Sequence, residues 1–311
     1  MTLYRVYREL FKTHLYGKRS AALLLMNGII IIDKPEGWTS QDVVSKLRGV
    51  LHTKRIGHGG TLDPMATGVL PVFVGRATRA VEFFEHAEKT YEACLRLGIH
   101  TDTEDITGNV LEEKPVSVTR AQLEAVLEQF RGEIQQIPPM YSALKINGQK
   151  LCDLARRGKE VERTPRTITI FSLELLDFSG DRIQLRVHCS KGTYIRTLCK
   201  DIGAALGCGG CMESLRRVSA GSYQIQDAIP LQKVVEAEDP EGLLLPIDSM
   251  FTQYPEVVLT PKQATRCRNG NSFSVTLTEG TYRAYEETGT FLMLARVQEG
   301  VMSTIKSFFE V

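Results

Sequence analysis

The sequence predicts an α+β protein with a large N-terminal domain and a small β-rich C-terminal domain. Runs of β-branched residues alternate with segments whose apolar residues recur at helical spacing. Residues 167–189 are typical of a β-hairpin, as expected of a mainly antiparallel sheet. From about Pro255 the chain changes to short, strand-sized pieces separated by glycine, which predicts a second, smaller domain.

The composition is that of an ordinary globular protein, with 311 residues, 42% hydrophobic and 24% charged. The net charge of +1 gives no polybasic signal, so a nucleic-acid partner would require clustered basic residues. Seven cysteines, an odd number, predict reduced thiols and a cytoplasmic protein. Cys208 and Cys211 form a single CxxC without a second pair, so no metal site is predicted. No stretch approaches the ~18 apolar residues of a membrane span.

Residues 1–25 are basic and end in a short apolar run without a clear cleavage site, which makes them a poor signal peptide. Met26 stands directly before the first strong element. We therefore expect an N-terminal extension at 1–25, poorly ordered and without an assigned function. The predicted domains are residues 26–250 and 251–311.

The predicted elements of the first half follow local patterns. The β-branched run Gly28–Asp33 indicates a buried strand, and Lys34–Gly37 a turn. Thr39 or Ser40 is expected to cap a helix with apolar residues on one face. Further on, the sequence predicts strands over 69–74 and 89–97, a short helix over 76–84, a connection over 101–118, and a helix opened by the capping box Thr119 and Gln122 and ended by Gly132.

The second half continues the alternation. Two strands, 167–178 and 182–189, are joined by a turn at 179–181. Thr193 is a plausible cap for the helix that follows, and residues 213–230 are expected to mix a short helix with a strand. Pro261 should start a short helix that ends by Gly270, in the C-terminal domain.

Residues 57–71 contain four glycines and two prolines, which predicts a loop and neither a helix nor a central strand. Its one acid, Asp63, is held extended by Pro64 in a partly apolar setting. A restrained carboxylate with space beside it suits a nucleophile or a general base. The alternative is a turn residue that accepts local backbone hydrogen bonds.

Residues 141–170 concentrate seven basic against three acidic residues. This stretch is either a surface that binds a polyanion or a solvated helix face with charge pairs.

Four stretches together resemble one family. They are Gly28–Pro35 with Gly37 and Thr39–Ser40; the loop 57–71 with Leu62-Asp63-Pro64; Pro138–Lys145 with Gly148 and Ala155–Arg156; and Ser190–Arg196 with Asp201, Gly203 and Leu215-Arg216-Arg217. In this order they are similar to the bacterial TruB-type tRNA pseudouridine synthases, over roughly residues 26–250. The C-terminal piece resembles, more loosely, the small RNA-binding PUA domain of that family.

The resemblance implies the pseudouridine synthase fold, a mixed, mainly antiparallel sheet with flanking helices. It implies an isomerase that converts a uridine in the T-loop of tRNA, position 55 in tRNA convention, to pseudouridine after flipping the base. The implied partner is the T-arm of tRNA, bound by a monomer. No cofactor or metal is implied, because no redox step or group transfer to another molecule occurs.

The resemblance also implies residue roles. Asp63 falls on the essential aspartate, Tyr91 on a tyrosine that stacks on the flipped base, and Arg196 on the arginine that pairs with the aspartate. Further matches are Tyr194 and Leu215 as pocket residues, His58 as the residue that displaces the base, Lys34 with Pro35 as a supporting segment, and Arg156 in the basic stretch expected to meet phosphates. From the residues alone, both tyrosines read equally well as core aromatics, and Arg196 and His58 as solvated side chains.

Two positions depart from the family pattern. Gly59 stands where a threonine is expected, which should loosen the loop beside His58. Cys152 stands where a tyrosine is usual.

Three other functions are alternatives to this one. A non-catalytic tRNA-binding protein or RNA chaperone could use the same surface, but such a protein would be expected to lose Asp63 or Arg196. A phosphate-binding enzyme would need the Gly-Lys-Ser/Thr of a P-loop, which the glycine loop lacks. A metallohydrolase using His58 and Asp63 would need further ligands at suitable spacing.

Overall fold

The structure, a computed structural model, describes residues 26–146 and 148–309. The extension predicted at residues 1–25 lies outside these ranges. Among the residues described, none of the helices is long and apolar enough to cross a membrane.

The larger part of the chain alternates strands and short helices. Its strands are β1 (Gly28–Lys34), β2 (Ile56–His58), β3 (Thr67–Val74), β4 (Lys89–Leu97), β5 (Ile99–Thr101), β6 (Val110–Glu113), β7 (Gly132–Gln136), β8 (Lys145–Ile146), β9 (Gln149–Lys150), β10 (Arg166–Ser179), β11 (Arg182–Cys189), β12 (Gly210–Ala220), β13 (Tyr223–Gln224) and β14 (Ile229–Pro230). Its helices are α1 (Ser40–Val50), α2 (Val81–Phe84), α3 (Arg120–Glu128), α4 (Leu151–Ala155), α5 (Ile195–Ala205) and α6 (Leu231–Val235).

Ten of these strands form one mixed sheet, in the order β14-β1-β3-β12-β4-β11-β10-β7, with β2 beside β3 and β13 beside β12. The pairs β1·β14 and β3·β12 are parallel, and the other pairs are antiparallel. The mainly antiparallel sheet that the sequence predicts is therefore confirmed.

The apolar run of β1 is continuous because both faces of the sheet are covered. Ile30 and Ile32 belong to a core cluster that includes α1, α3 and α5. Ile29 and Ile31 face the opposite cluster, which includes Phe73 and Phe251. The strand pattern thus places the central strands between two apolar layers.

Two predicted helices are confirmed together with their caps. Thr39 caps α1 and Thr119 caps α3, each in a reciprocal capping box with the residue three positions on. Gly132 does not end α3, which stops at Glu128; this glycine, with a positive φ of 83°, begins β7. Thr193 is also not the cap of α5: that position is Tyr194, without a side-chain cap bond.

The predicted loop at residues 57–71 is shorter than expected, because β2 extends to His58 and β3 begins at Thr67. Pro71 therefore lies within a central strand, as the predicted strand over 69–74 requires, and not in the loop predicted over 57–71. On the side of β3 away from β1, β12 pairs with residues 67–68 and β2 with residues 72–74, so Pro71 lies where one partner gives way to the other. Its missing N–H removes no ladder bond there, and its carbonyl accepts from Gly59 N–H at 2.8 Å.

Two other segments differ from their predictions. The connection at 101–118 contains half of a two-stranded ribbon, β5 with β6. Residues 213–230 were expected to mix a short helix and a strand, and they do contain strands and a short 3₁₀ helix at Ile225–Asp227. The difference is that β12 already starts at Gly210 and runs for 11 residues between β3 and β4. Glycines at its start and polar residues along it hide this strand from a pattern of apolar alternation.

The C-terminal part forms a separate five-stranded sheet with its own core. Its elements are β15 (Glu256–Leu259), α7 (Pro261–Arg268), β16 (Phe273–Ser274), β17 (Gly280–Glu286), β18 (Phe291–Gln298) and β19 (Val301–Ser307). The helix predicted from Pro261 is confirmed, with Thr260 as its cap. The domain boundary at 250 and 251 stays a prediction.

Candidate active site

Asp63 lies on the loop 59–66 between β2 and β3, and this loop is tied to the start of α1. Ser40 Oγ accepts from Leu62 N–H at 2.9 Å, and Gly37 N–H donates to Pro64 O at 2.8 Å. The two tethers flank Asp63 on both sides. Its carboxylate stays 34% exposed, so it is restrained and still reachable from solvent.

A bidentate ion pair joins Asp63 to Arg196, in the first turn of α5. Arg196 Nε lies 2.9 Å from Asp63 Oδ2, and Nη2 lies 3.2 Å from Oδ1. The remaining donors of Arg196 bond the carbonyls of Thr103 at 3.1 Å and Tyr141 at 2.7 Å. A buried guanidinium with all these partners holds both carboxylate oxygens in a fixed orientation.

The loop after β5 also contacts Arg196 and helps to hold it in place. The sequence did not predict this contact. Asp105 Oδ2 lies 3.8 Å from Arg196 Nη1. The neighbouring Glu104 has a positive φ of 64° and accepts from Thr197 Oγ1 at 2.6 Å and Lys200 Nζ at 2.7 Å, both on α5. The signal in the sequence was a pair of acids in a connection, which only the fold brings against α5.

Tyr91, on β4, lies in the middle of the sheet, with Val187 on one side and Arg217 on the other. Its side chain is 9% exposed. Burial raises the pKa of Tyr91, and the adjacent Arg217 opposes the rise. The phenol is therefore neutral at neutral pH and able to hold or donate a proton.

Tyr194 and Leu215 add apolar surface beside these groups. Both backbone polar groups of Tyr194 are bonded to the buried Gln136 side chain, at 2.8 and 3.0 Å, which fixes the tyrosine at the start of α5. Burial raises the pKa of Tyr194, and Asp63 acts in the same direction. Leu215 lies on β12 opposite Ala93 and shares the core cluster of Tyr91.

Lys34 is fully buried at the end of β1 and supports the Asp63 loop. Its Nζ donates to the carbonyls of Pro35 at 2.9 Å, Trp38 at 2.5 Å and Pro64 at 3.1 Å. The last of these follows Asp63 directly. Burial lowers the pKa of Lys34 to about 8, although the Asp63 carboxylate opposes the shift.

His58 ends β2, next to the loop, and is half-buried. Burial lowers the pKa of His58, and the nearby Arg217 cation lowers it further, so the imidazole is neutral at pH 7. Its Nδ1 is buried without a hydrogen-bond partner. The ring thus carries an unused polar atom close to the site.

Gly59 does not loosen this loop, in contrast to the expectation from the sequence. Its N–H is bonded to Pro71 O, and a Cβ built on it would lie 2.5 Å from the ring of Phe84 and 3.0 Å from Phe73. The space that a side chain would need is filled by two aromatic rings. Gly59 is therefore packed as tightly as a core residue.

Arg156 lies on the surface, directly after the end of α4. Its guanidinium is 72% exposed and 3.7 Å from Asp153. Five neighbours in the basic stretch are also exposed: Lys145, Lys150, Arg157, Lys159 and Arg166. Cys152 is half-buried, with its thiol 3.9 Å from Asp153 Oδ1.

No cluster of three metal-ligating side chains occurs in residues 26–146 and 148–309. A cavity of about 870 Å³ opens between residues 96–99, 113–119 and 180–181 and contains none of the side chains above. The site is thus defined by the contacts around Asp63. Its chemistry is that of an oriented carboxylate, a neutral phenol and an apolar surface, which suits covalent catalysis with a proton transfer.

Comparison with known proteins gives two matches to family models. The model described as TruB family pseudouridylate synthase (N terminal domain) matches residues 48–195, and the model described as tRNA pseudouridylate synthase B C-terminal domain matches residues 196–252. All residues of the Asp63–Arg196 pair and its surroundings, except Lys34 and the start of α1, lie within these matches.

Curated relatives and solved structures agree with the family models. The chain is 48% identical to tRNA pseudouridine synthase B of Azoarcus sp. (strain BH72), over 79% of this chain and 83% of that protein. It is 43% identical to tRNA pseudouridine synthase B of Clostridium kluyveri, over 91% of this chain and 100% of that protein. A chain in the crystal structure of a Cbf5-Nop10-Gar1 complex superposes with a TM-score of 0.70 and 26% identity, over 94% of this chain and 88% of that one.

Proposed function

Since this chain belongs to the TruB family of pseudouridine synthases and has their fold, we propose that it isomerises uridine to pseudouridine in tRNA. The observation that carries the proposal is the bidentate pair of Asp63 and Arg196 beside Tyr91. A bound carboxylate of fixed orientation, next to a neutral phenol, is what the reaction requires.

The substrate that we propose is the uridine of the T-loop, at position 55 in tRNA convention, bound by a monomer. The relatives are named for tRNA, which supports the class of RNA. A uridine within a folded loop must leave its stack before a side chain can reach it, at a cost of a few kcal/mol. Tyr91, Tyr194 and Leu215 offer the surface that receives the base, and His58 is the residue that we propose displaces it.

The reaction breaks the bond between C1′ of the ribose and N1 of the uracil and forms a bond between C1′ and C5. The proton on C5 is lost, and N1 gains one, so the atoms balance without a co-reactant. Asp63 is the proposed nucleophile and forms a covalent intermediate, either with the sugar or with the base. Tyr91 is the proposed carrier of a proton.

Arg196 is proposed to keep the Asp63 carboxylate aimed at the substrate. Two N–H groups of its guanidinium hold both carboxylate oxygens, at 2.9 and 3.2 Å. Lys34 acts on the same loop through the Pro64 carbonyl. No redox step occurs and nothing is transferred to another molecule, so the proposed reaction uses no metal or cofactor.

Binding of the tRNA backbone is assigned to the basic stretch around Arg156. Its exposed cations suit contacts with phosphates that position the RNA without reading its sequence. The β-rich C-terminal domain is proposed to be PUA-like and to bind RNA as well. The seven cysteines are free thiols, which supports a reducing compartment such as the cytoplasm.

A tRNA-binding protein or RNA chaperone without turnover is the alternative. Such a protein would need the basic surface but not an oriented carboxylate. The Asp63–Arg196 pair favours the enzyme, because a buried arginine held by this many partners has no role in backbone binding.

The test measures pseudouridine formation in unmodified tRNA that carries tritium at C5 of uridine. Isomerisation releases the label, because C5 exchanges its hydrogen for C1′. We expect release by the wild type without added cofactor. Asp63→Asn should bind tRNA within about threefold of the wild type and release label at least about a thousandfold more slowly, because an amide is no nucleophile.

Asp177→Asn, an exposed acid on β10, is the matched control and should keep both binding and release. Normal turnover by Asp63→Asn would exclude Asp63 as the nucleophile. A wild type that binds tRNA but never releases label would establish the non-catalytic alternative.

A further inference from the structure

Arg217, on β12, is a fully buried arginine to which the sequence assigned no role. Its side chain is 1% exposed. Its Nε donates to Val69 O at 2.7 Å, and its Nη2 donates to Gly60 O at 3.2 Å. Both partners are neutral backbone carbonyls of the glycine-rich segment.

The two carbonyls stand on either side of Asp63 along the chain. Gly60 is near the start of the loop 59–66, and Val69 follows its end in β3. One planar guanidinium therefore bridges the entry and the exit of the loop that carries the carboxylate. The backbone of Arg217 also lies close to this segment, because it pairs with Gly68. A Cβ at position 68 would lie 2.2 Å from Arg217 O, so only glycine fits there.

Within the described ranges, no ion pair joins Arg217 to a carboxylate, although buried arginines are usually paired. Three other basic groups lie near it: the Arg217 charge contributes to the lowered pKa values of Lys34, His58 and Lys89. Burying a guanidinium without a carboxylate partner costs free energy of desolvation. An arginine kept here despite this cost points to a role that a neutral side chain would not fill.

Arg217 also lies beside the hydroxyl of Tyr91, its cross-strand neighbour on β4. It thus contacts the carboxylate's loop and the phenol from the same position. Arg196 fixes the Asp63 side chain, whereas Arg217 fixes the backbone that carries it.

We propose that Arg217 is a positioning residue that holds the two ends of the Asp63 loop together and fixes this loop relative to Tyr91. The inference rests on the proposed isomerase function. A lysine in its place would keep the charge but lose the planar fork that reaches both carbonyls. Displacement of a reacting group by about 1 Å can lower a rate by about a hundredfold without weakening binding.

The experiment compares Arg217→Lys and Arg217→Gln with the wild type, using tritium release at saturating enzyme and tRNA affinity by filter binding. Arg186 supplies the matched controls Arg186→Lys and Arg186→Gln, because this exposed arginine lies on β11 of the same sheet, beyond β4, and is paired with Glu92 at 2.7 Å. We expect both Arg217 variants to lose at least tenfold in the single-turnover rate, with tRNA affinity within twofold. The Arg186 variants should keep both.

Hydrogen exchange gives a second readout that depends on the loop itself. In Arg217→Lys, the milder change, residues 59–66 should exchange faster than in the wild type, while α3 and the hairpin β10–β11 keep their wild-type rates. A purely structural role would instead speed exchange throughout the sheet and lower affinity and rate together, and this result would overturn the inference.

The outcomes separate the two proposals. A wild type without tritium release refutes the proposed function. A wild type that releases tritium, with Arg217 variants within twofold of its rate, refutes the role of Arg217 alone.

Discussion

The charged side chains of this site differ in their exposure to solvent, and this difference indicates which of them are structural. Arg196 and Arg217 are buried, at 5% and 1% exposure, and all their bonds hold other groups in place. Asp63 is open to solvent over a third of its side chain. The buried cations are therefore fixed parts of the scaffold, and the carboxylate is the group left available to a substrate.

The buried Lys34 should make the free energy of unfolding depend on pH. Its pKa falls from 10.5 to about 8 on folding, so between about pH 8 and 9 the folded chain holds fewer protons than the unfolded chain. The free energy of unfolding should therefore rise with pH in this window, by at most about 1.4 kcal/mol per pH unit for one lysine. Lys34→Met should remove this contribution, measured by urea unfolding at several pH values.

Lys89 adds a similar contribution, since burial lowers its pKa to about 8 as well. The free energy of unfolding of Lys34→Met should therefore still rise with pH in this window, but less steeply than that of the wild type. The window closes near pH 9, where buried thiols such as Cys94, whose pKa burial raises to about 12, begin to act in the opposite direction. Lys46→Met, on the exposed face of α1, is the control; an equal loss of slope in it would contradict the assignment to Lys34.

At the scale of elements, the close contact of β3 with β12 decides where the site lies. The parallel pairing of Thr67 and Gly68 with Arg216 and Arg217 brings the end of the Asp63 loop against the strand that carries Leu215. This approach is possible because Gly68 has no side chain and adopts a positive φ of 101°.

Gly68→Ala should be strongly destabilising. The left-handed backbone costs about 1–2 kcal/mol and the collision with Arg217 O about 1–3 kcal/mol more, so we expect a loss of about 2–5 kcal/mol in urea unfolding. Gly180→Ala separates these effects, since Gly180 also has a positive φ, of 63°, but no atom within 4 Å of its would-be Cβ. Equal losses in both variants would show that the close approach contributes nothing.

At the scale of the whole molecule, an aromatic cluster joins the two sheets. Phe251 contacts Phe83 of α2, with ring centroids 5.4 Å apart, and Phe308 beyond β19, at 5.8 Å. Around it, Lys306 pairs with Glu82 at 2.6 Å. The C-terminal sheet is therefore packed against the larger part of the chain, as a proposed second RNA-binding surface would need to be.

Phe251→Ala should loosen this junction. Loss of a buried phenylalanine costs about 3–5 kcal/mol, and the segment 252–255 between the two parts should become sensitive to limited proteolysis. Phe171→Ala removes a phenylalanine that is 48% exposed and should change neither stability by more than about 1 kcal/mol nor the cleavage pattern. An intact segment in Phe251→Ala would mean that the junction depends on other contacts.

Local patterns were sufficient for much of the fold. Helices α1 and α3 with their caps, helix α7 and the hairpin β10–β11 are confirmed, because capping boxes and apolar periodicity act within a few residues. The start of β12 and the first two residues of β3, Thr67 and Gly68, were missed. Each of these places holds a glycine, Gly210 or Gly68, that is accommodated only because a neighbouring strand packs directly against it.

By itself, the sequence determined the class of the fold, the order of most elements, and the motifs that identify the family and single out Asp63 and Arg196. Their roles stay predictions. Only the tertiary structure decided that Arg217 bridges both ends of the Asp63 loop, that the loop after β5 supports Arg196, and that aromatic rings fill the space beside Gly59. These contacts join residues between 14 and 157 positions apart in the chain. Residues so far apart in the chain are brought together by the packing of the sheet, which no local sequence pattern specifies.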